Sequence, residues 1–396
     1  MSRILIITSG EAGHLNPITA LLQRLVAAGH EVDAVVRGPK LSDARRAALA
    51  GVTVIPNNER PHSSPKSRVE LFRDAEGRRA RLFERLPSAI AAVAELSKIV
   101  DERAPDVVAV DSYVLSGVIA AHLSGKPWAT LRCDPTSNVP LPVVRSLMED
   151  VDMAIAFRDQ LFGHFSIPTQ SESIGHFSPW LNIVFAAAEY LGTDSYVPPR
   201  THFVGASLAE RRGDEVEFDW GPPDSRPVVY VSFGSVFSWQ PELLRAIVAA
   251  GSRLDVRLFV SSGSLGQADL LDAPSTNVSV LGYVPQLEML SRAAAFVTHG
   301  GFNSVTEALY EGVPMVVVPL AIDQAIQAHY VERAGAGITV SPKGLTADSV
   351  EAALRTVLAH ESSQRACAKA LARTYRALDG AAAGAKLLAD LALTPA

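Results

Sequence analysis

Short, uninterrupted apolar runs alternate with helix-periodic segments twice along this chain, and that alternation restricts it to parallel-sheet α/β folds. Ile4–Ile7 is the first such run, of the kind buried on both faces of a parallel sheet. Asn16-Pro17 follows as a cap and a first helical position, after a loop that holds Gly13, His14 and Leu15. Ile18, Leu21, Leu22, Leu25 and Val26 then repeat at helical spacing, and Gly29 supplies the stop. Val32–Val36 and Val52–Ile55 read as strands, a helix over Leu86–Arg103 leads into a strand at Val107–Val110, and a further βα step covers Val118–Leu131. Such βαβα order predicts a doubly wound sheet with right-handed crossovers.

A second alternating unit begins at Val228–Val231. Strands at Arg257–Val260, Val278–Leu281, Ala295–Val297, Met315–Val318 and Ile338–Val340 alternate with helices near Pro241–Ala250, Ser304–Glu311, Gln324–Arg333 and Thr346–Ala359. Between the units, Cys133–Val204 loses its periodicity, and Arg211–Pro227 is charged and then rich in Gly and Pro. The expected organisation is a Rossmann-like domain over 1–206, a linker over 207–227, a second Rossmann-like domain over 228–375, and a helical tail over 376–396 that turns back toward the first. Two such domains place a cleft between the carboxyl ends of their sheets. A length of 396 residues suits two or three domains.

A net charge of −6, with no dense Lys/Arg block, argues against a nucleic-acid backbone or an anionic membrane as the main partner. Cys133 and Cys367 match no metal or CxxC spacing, which favours a reducing compartment. Ile4–Ile7 is too brief for a signal-peptide core, and Val313–Ile322, broken by two prolines, falls short of the roughly 18 residues a span needs. A cytoplasmic, soluble protein is therefore expected.

Thr298-His299-Gly300-Gly301-Phe302-Asn303-Ser304 follows a predicted strand and opens a helix. A helix N-terminus offers free backbone N–H groups and the positive end of its dipole, and two glycines let the backbone approach an anion closely. His299 adds a donor, while Asn303 and Ser304 stand where a cap and first-turn N–H face a phosphate. Glu307, one turn on, is placed to accept from a ribose diol. A structural turn with a capping Asn or Ser is the rival reading of that segment alone.

The wider string decides more. Tyr283-Val284-Pro285-Gln286 precedes the turn; Glu311-Gly312-Val313-Pro314 and Pro319-Leu320-Ala321-Ile322-Asp323-Gln324 follow it. This stretch resembles the donor box of the GT-B glycosyltransferases, in the family containing plant and bacterial natural-product enzymes. Val229-Tyr230-Val231-Ser232-Phe233-Gly234-Ser235 is a further element similar to that family. The resemblance implies that Tyr283 stacks on the nucleobase, that the Val284 backbone meets its edge, and that Gln286 and Glu307 hold the ribose. His299, Gly301, Asn303, Ser304 and Ser235 would cradle the diphosphate, with Asp323 and Gln324 on the sugar hydroxyls. The plant pattern has Trp where this chain has Tyr283 and Phe302, so both uridine- and thymidine-diphosphate sugars remain candidate donors.

Gly13-His14-Leu15-Asn16-Pro17 sits at the carboxyl end of the first strand, where a doubly wound sheet binds its ligands. A lone loop His is ordinarily a surface residue. Asp111, however, ends the Val107–Val110 strand, which neighbours the first strand in a 3-2-1-4 order. A carboxylate on one imidazole nitrogen sets the tautomer and stabilises the imidazolium formed at the other. The same family uses a His in this position as general base with an Asp partner. The resemblance thus implies a metal-free, inverting single displacement: His14 takes the acceptor proton, the oxygen attacks the anomeric carbon, and the diphosphate leaves against the helix N-terminus and His299. No cofactor is expected beyond the TDP- or UDP-sugar co-substrate. Asp150-Val151-Asp152 looks like a metal-binding Asp-x-Asp, but its helical, mixed-polarity setting marks it as coincidence.

The acceptor is expected to be a small hydrophobic hydroxylated molecule, held by the Pro56–Arg68 loop and the irregular Cys133–Trp180 region. Phe157, Phe162 and Phe177 are candidate lining residues, with core packing as the alternative for each. Three rival functions keep the fold, of which the nucleotide-sugar 2-epimerases lack the string from Tyr283-Val284-Pro285-Gln286 to Asp323-Gln324. A silent nucleotide-sugar-binding protein would need neither His14 nor Asp111, and a lipid-acceptor N-acetylglucosaminyl transferase would carry a glycine-richer first loop than Ser9-Gly10-Glu11-Ala12-Gly13 and a basic docking patch.

Overall fold

The computed structural model describes the chain except for residues 39–40, 58–74, 210–211, 214, 223, 236, 238–239, 271–274, 322 and 395–396. The described residues form two compact units: one from the chain before Glu215 together with the chain after Ala377, the other from Glu215–Ala377.

In the first unit β1 (Arg3–Ser9), β2 (Glu31–Arg37), β3 (Val52–Asn57), β4 (Val107–Asp111), β5 (Trp128–Arg132), β6 (Leu181–Val184) and β7 (Thr201–Phe203) form a sheet ordered β3-β2-β1-β4-β5-β6-β7. Its pairings are parallel, with Ile4 opposite Val107, Ile7 opposite Val110, and Asp111 opposite Leu131. Alternation along β1 explains the unbroken apolar run. Ile4 and Ile6 enter one core layer with Ile18, Leu21, Leu22 and Leu25 of the first helix, whereas Leu5 and Ile7 enter the opposite layer with Leu96, Val100 and Val118. Each fully buried aliphatic side chain of this kind contributes about 1.5–3 kcal/mol.

The first helix, α1 (Ala12–Ala27), departs from the sequence expectation. It starts at Ala12, so Gly13–Pro17 belong to its first turns and not to a loop. The Glu11 carbonyl accepts from both the His14 and Leu15 N–H groups, which closes the first turn ahead of Asn16. Asn16 is therefore no cap, and its side-chain oxygen accepts instead from the Arg45 guanidinium. Pro17 lies inside the helix, and its carbonyl accepts from the Ser207 hydroxyl at 2.6 Å.

The Cys133–Trp180 region is also more regular than expected. It holds helices at Leu141–Leu147 and Val151–His164, the second at the Asp150–Asp152 string already read as helical. Asp152 of the Asp-x-Asp string is exposed and pairs with Arg145 at 2.9 Å. Late in the chain, the helix Gly380–Leu391 places Ala385, Leu388 and Leu391 in the same core layer as α1.

In the second unit β8 (Val228–Ser232), β9 (Arg257–Ser261), β10 (Val278–Leu281), β11 (Ala293–Thr298), β12 (Met315–Val317) and β13 (Gly337–Thr339) form a parallel sheet ordered β10-β9-β8-β11-β12-β13. Phe218 and Trp220, in the expected linker, pack edge-on against Phe259 of β9, and the Trp220 indole donates to Glu288 at 2.9 Å. Among the described residues no helix is long and apolar enough to cross a membrane.

Candidate active site

Each unit gathers polar residues at the carboxyl ends of its strands, the position at which doubly wound sheets bind ligands. In the first unit β1 and β4 are hydrogen-bonded neighbours, so the first turn of α1 and the last residue of β4 meet. His14 Nδ1 lies 2.9 Å from Asp111 Oδ2. Asp111 is fully buried, while the His14 side chain keeps 18% of its surface. The carboxylate is held further by the Tyr113 N–H at 3.1 Å, and by the Thr8 hydroxyl and Ser9 N–H at 3.4 and 3.5 Å. Tyr113 also sets its ring edge-on to the imidazole, centroids 4.7 Å apart.

Burial disfavours charge on His14, but it is outweighed. The Asp111 carboxylate, with Asp134 and Glu11 further off, raises the imidazole from 6.5 to about 9. Cys133, next to the end of β5, places its thiol 3.6 Å from the His14 carbonyl. Burial pushes that thiol well up, and the Asp111 and Asp134 charges push the same way. Sequence reasoning missed Thr8, Tyr113 and Cys133, although Thr8 and Cys133 each stand at a strand's carboxyl end, as Asp111 does.

In the second unit β11 runs into Thr298-His299-Gly300-Gly301 and then the helix Phe302–Glu311. Gly301 is the N-cap, and no side chain caps the helix, so Asn303 and Ser304 lie inside its first turn. Gly300 takes a φ of +86°, which lets the chain reverse into the helix. His299 is buried with its Nε2 beside Gly234 and Gly301: a Cβ built on either glycine would lie 3.1 or 2.6 Å from that nitrogen. Burial lowers His299 to about 4, only partly countered by the Ser232 backbone. At neutral pH it is an uncharged imidazole. Such a ring carries one N–H and no positive charge.

Gln286 opens the helix Gln286–Arg292 after β10 and reaches across to the glycine-turn helix. Its Nε2 donates to Glu307 Oε2 at 2.7 Å and to Ser304 Oγ at 3.3 Å. Gln286 and Glu307, the two residues expected at a ribose, are thus in direct contact. Tyr283 is half exposed and Val284 buried, in the segment between β10 and that helix. Ser235 is exposed in the turn after β8. Asp323 begins the helix Gln324–Arg333. Gln324 is buried, and its Oε1 accepts from the Leu320 and Ala321 N–H groups at 2.8 and 3.0 Å. Its oxygen therefore holds the loop.

Of the aromatic candidates for the acceptor, Phe162 and Phe177 are placed in packing by their burial. Phe162 is fully buried in the first unit's core, and Phe177 is buried beneath the Arg132 guanidinium, 3.7 Å from its ring centre. Phe157 is partly buried against the same core and edge-on to Phe83. Residues 58–68 of the expected acceptor loop lie outside the described residues.

The family model described as UDP-glucoronosyl and UDP-glucosyl transferase matches residues 191–374. NDP-glycosyltransferase YjiC of Bacillus subtilis is 27% identical over 87% of this chain and 86% of its own. Demethyllactenocin mycarosyltransferase of Streptomyces fradiae is 28% identical, over 97% of this chain and 85% of its own. The crystal structure of the glycotransferase of kitacinnamycin superposes with a TM-score of 0.76 at 26% identity, covering 98% of both chains. The fold is that of the GT-B glycosyltransferases, and the chain is similar to glycosyltransferases over nearly its whole length. The segment matched by the family model takes in the whole glycine-turn cluster of the second unit, whereas the His14–Asp111 pair lies outside it.

Proposed function

We propose that this chain is a glycosyltransferase that moves a sugar from a thymidine- or uridine-diphosphate donor to a hydroxyl of a small hydrophobic aglycone, with inversion and without a metal. The observation that carries the reading is the 2.9 Å contact between His14 and a fully buried Asp111. A lone buried carboxylate is costly, and pairing it with an imidazole at a strand's carboxyl end makes a base whose proton the carboxylate stabilises. His14 takes the hydroxyl proton on Nε2 as the oxygen attacks the anomeric carbon. The C–O bond to the diphosphate breaks on the opposite face. The leaving charge falls to the N–H groups of the Phe302–Glu311 helix and to His299. Tyr283 and Val284 take the base, Gln286 and Glu307 the ribose, Gly301, Asn303, Ser304 and Ser235 the phosphates, and Asp323 and Gln324 the sugar.

The test is transfer by chelator-treated protein from a panel of uridine- and thymidine-diphosphate sugars to phenolic, macrolide and polyketide acceptors, with the product anomer read by NMR. The expected product has the anomeric configuration opposite to the donor's. Retention, or activity that appears only with added magnesium, would sink the mechanism.

The base must be unprotonated to work, and His14 holds its proton up to about pH 9. The expected kcat/KM therefore climbs about tenfold per pH unit below that value and levels above it. Asp111→Asn removes the main raising influence, so the limb moves down toward the ordinary histidine range while the maximal rate falls. A wild-type limb already flat at pH 7 would show that Asp111 does not hold this proton. By the same linkage, the pair's contribution to stability is fully present below pH 6.5 and is lost as pH rises through about 9.

A further inference from the structure

We propose that His14, Asp111 and Cys133 form an inhibitory site for a soft divalent cation, with zinc as the fitting ion. Among the described residues this is the one group of three His, Cys or carboxylate side chains whose ligand atoms all lie close together, within 4.8 Å of one another. The donor set is one imidazole nitrogen, one carboxylate oxygen and one sulfur. That mixture suits zinc and excludes magnesium, which takes oxygen ligands in an octahedron.

The geometry needs little change. Zinc holds nitrogen and oxygen at about 2.0–2.2 Å and sulfur at about 2.3 Å, so tetrahedral ligand atoms stand roughly 3.3–3.7 Å apart. His14 Nδ1 and Asp111 Oδ2 stand at 2.9 Å and must part slightly, while the sulfur must close in. The backbone frame is already set: Asp111 ends β4, Cys133 follows β5 beside it, and His14 occupies the first turn of α1. The buried His14 Nδ1 has the Asp111 carboxylate as its close polar neighbour and is aimed into the cluster. On binding, zinc displaces the protons of the thiol and of Nδ1, and both leave to solvent.

The consequence for transfer follows from the imidazole's electron count. A neutral ring carries one N–H. With the Nδ1 lone pair on the metal, that hydrogen stays on Nε2, which then has no lone pair for an acceptor proton. This inhibition rests on His14 acting as the base; the binding of zinc does not.

Cys367→Ser protein, which retains Cys133 as its only cysteine, is the background for the test. Zinc stoichiometry is measured by equilibrium dialysis against a zinc buffer, alongside transfer activity, in this protein and with Cys133→Ser or Cys133→Ala added. Melting temperature without metal checks that each variant folds. The expected result is one zinc per chain, loss of transfer on zinc addition, and at least about a tenfold rise in the zinc needed for half-inhibition when Cys133 is replaced. Magnesium should have no such effect. Zinc binding or inhibition that is equal with and without Cys133 overturns the site. If instead metal-free His14→Ala remains fully active, the base assignment fails, while the stoichiometry still decides whether the metal site exists.

Discussion

Replacing His14 by alanine is expected to lower kcat/KM for sugar transfer by about 10²–10⁴-fold, the usual contribution of a positioned general base. In free energy that is about 3–5 kcal/mol of transition-state stabilisation. Nucleotide affinity should stay within about twofold, because the residues expected to hold the nucleotide belong to the other unit. Truncation also strips the buried Asp111 of its partner, which costs stability on the order of 3–5 kcal/mol unless water enters. His14→Gln separates the two effects. Its amide N–H can meet Asp111 Oδ2 and recover part of the lost stability, but it has no basic nitrogen and recovers no rate. Single-turnover transfer, nucleotide titration and denaturant unfolding on the same three proteins measure all of this. Transfer by His14→Gln at the wild-type rate would show that another group removes the acceptor's proton.

Gly300→Ala should markedly destabilise the second unit. At a φ of +86° any side chain is strained, by roughly 1–2 kcal/mol. The new Cβ would also stand 2.8 Å from Val317 Cγ1 and 3.3 Å from the Gln324 carbonyl. Val317 is fully buried, so relief requires β12 or the turn to shift, at about 1–3 kcal/mol. The expected loss is about 2–5 kcal/mol in denaturant unfolding, together with weaker binding of a nucleoside diphosphate. Gly301→Ala is the contrast. Its φ is −61°, so the backbone tolerates a side chain, but the Cβ would press on His299 Nε2 at 2.6 Å. Nucleotide binding should therefore suffer more than stability. Equal unfolding midpoints for Gly300→Ala and wild type would contradict the turn described above.

Much of the fold is legible because parallel strands buried on both faces must be continuously apolar. Ile4–Ile7, Val228–Val231 and Met315–Val317 announce themselves in that way. Neighbouring of His14 and Asp111 is legible for a topological reason: β1 and β4 adjoin once the sheet reverses direction. The start of α1 is not. Asn16-Pro17 carries the stronger local signal, yet Glu11 begins the helix with no side-chain cap at all. Phe162 and Phe177 are equally opaque, since an aromatic residue in an aperiodic stretch looks the same whether it faces a core or a pocket. Nor can a sequence show that His299 is neutral and His14 charged. Both are histidines near a strand's carboxyl end, and the difference is a carboxylate at 2.9 Å beside one and plain burial around the other.

The helix Gly380–Leu391 makes the order of synthesis matter. Residues 215–377 contain the whole second sheet and its helices, so that unit can close as soon as it has left the ribosome. The unit translated first must wait, because Ala385, Leu388 and Leu391 belong to its own core and are made after the second unit is complete. Until they arrive, the apolar face of α1 stays open to water and to chaperones, and the newborn chain carries a finished second unit and an unfinished first one.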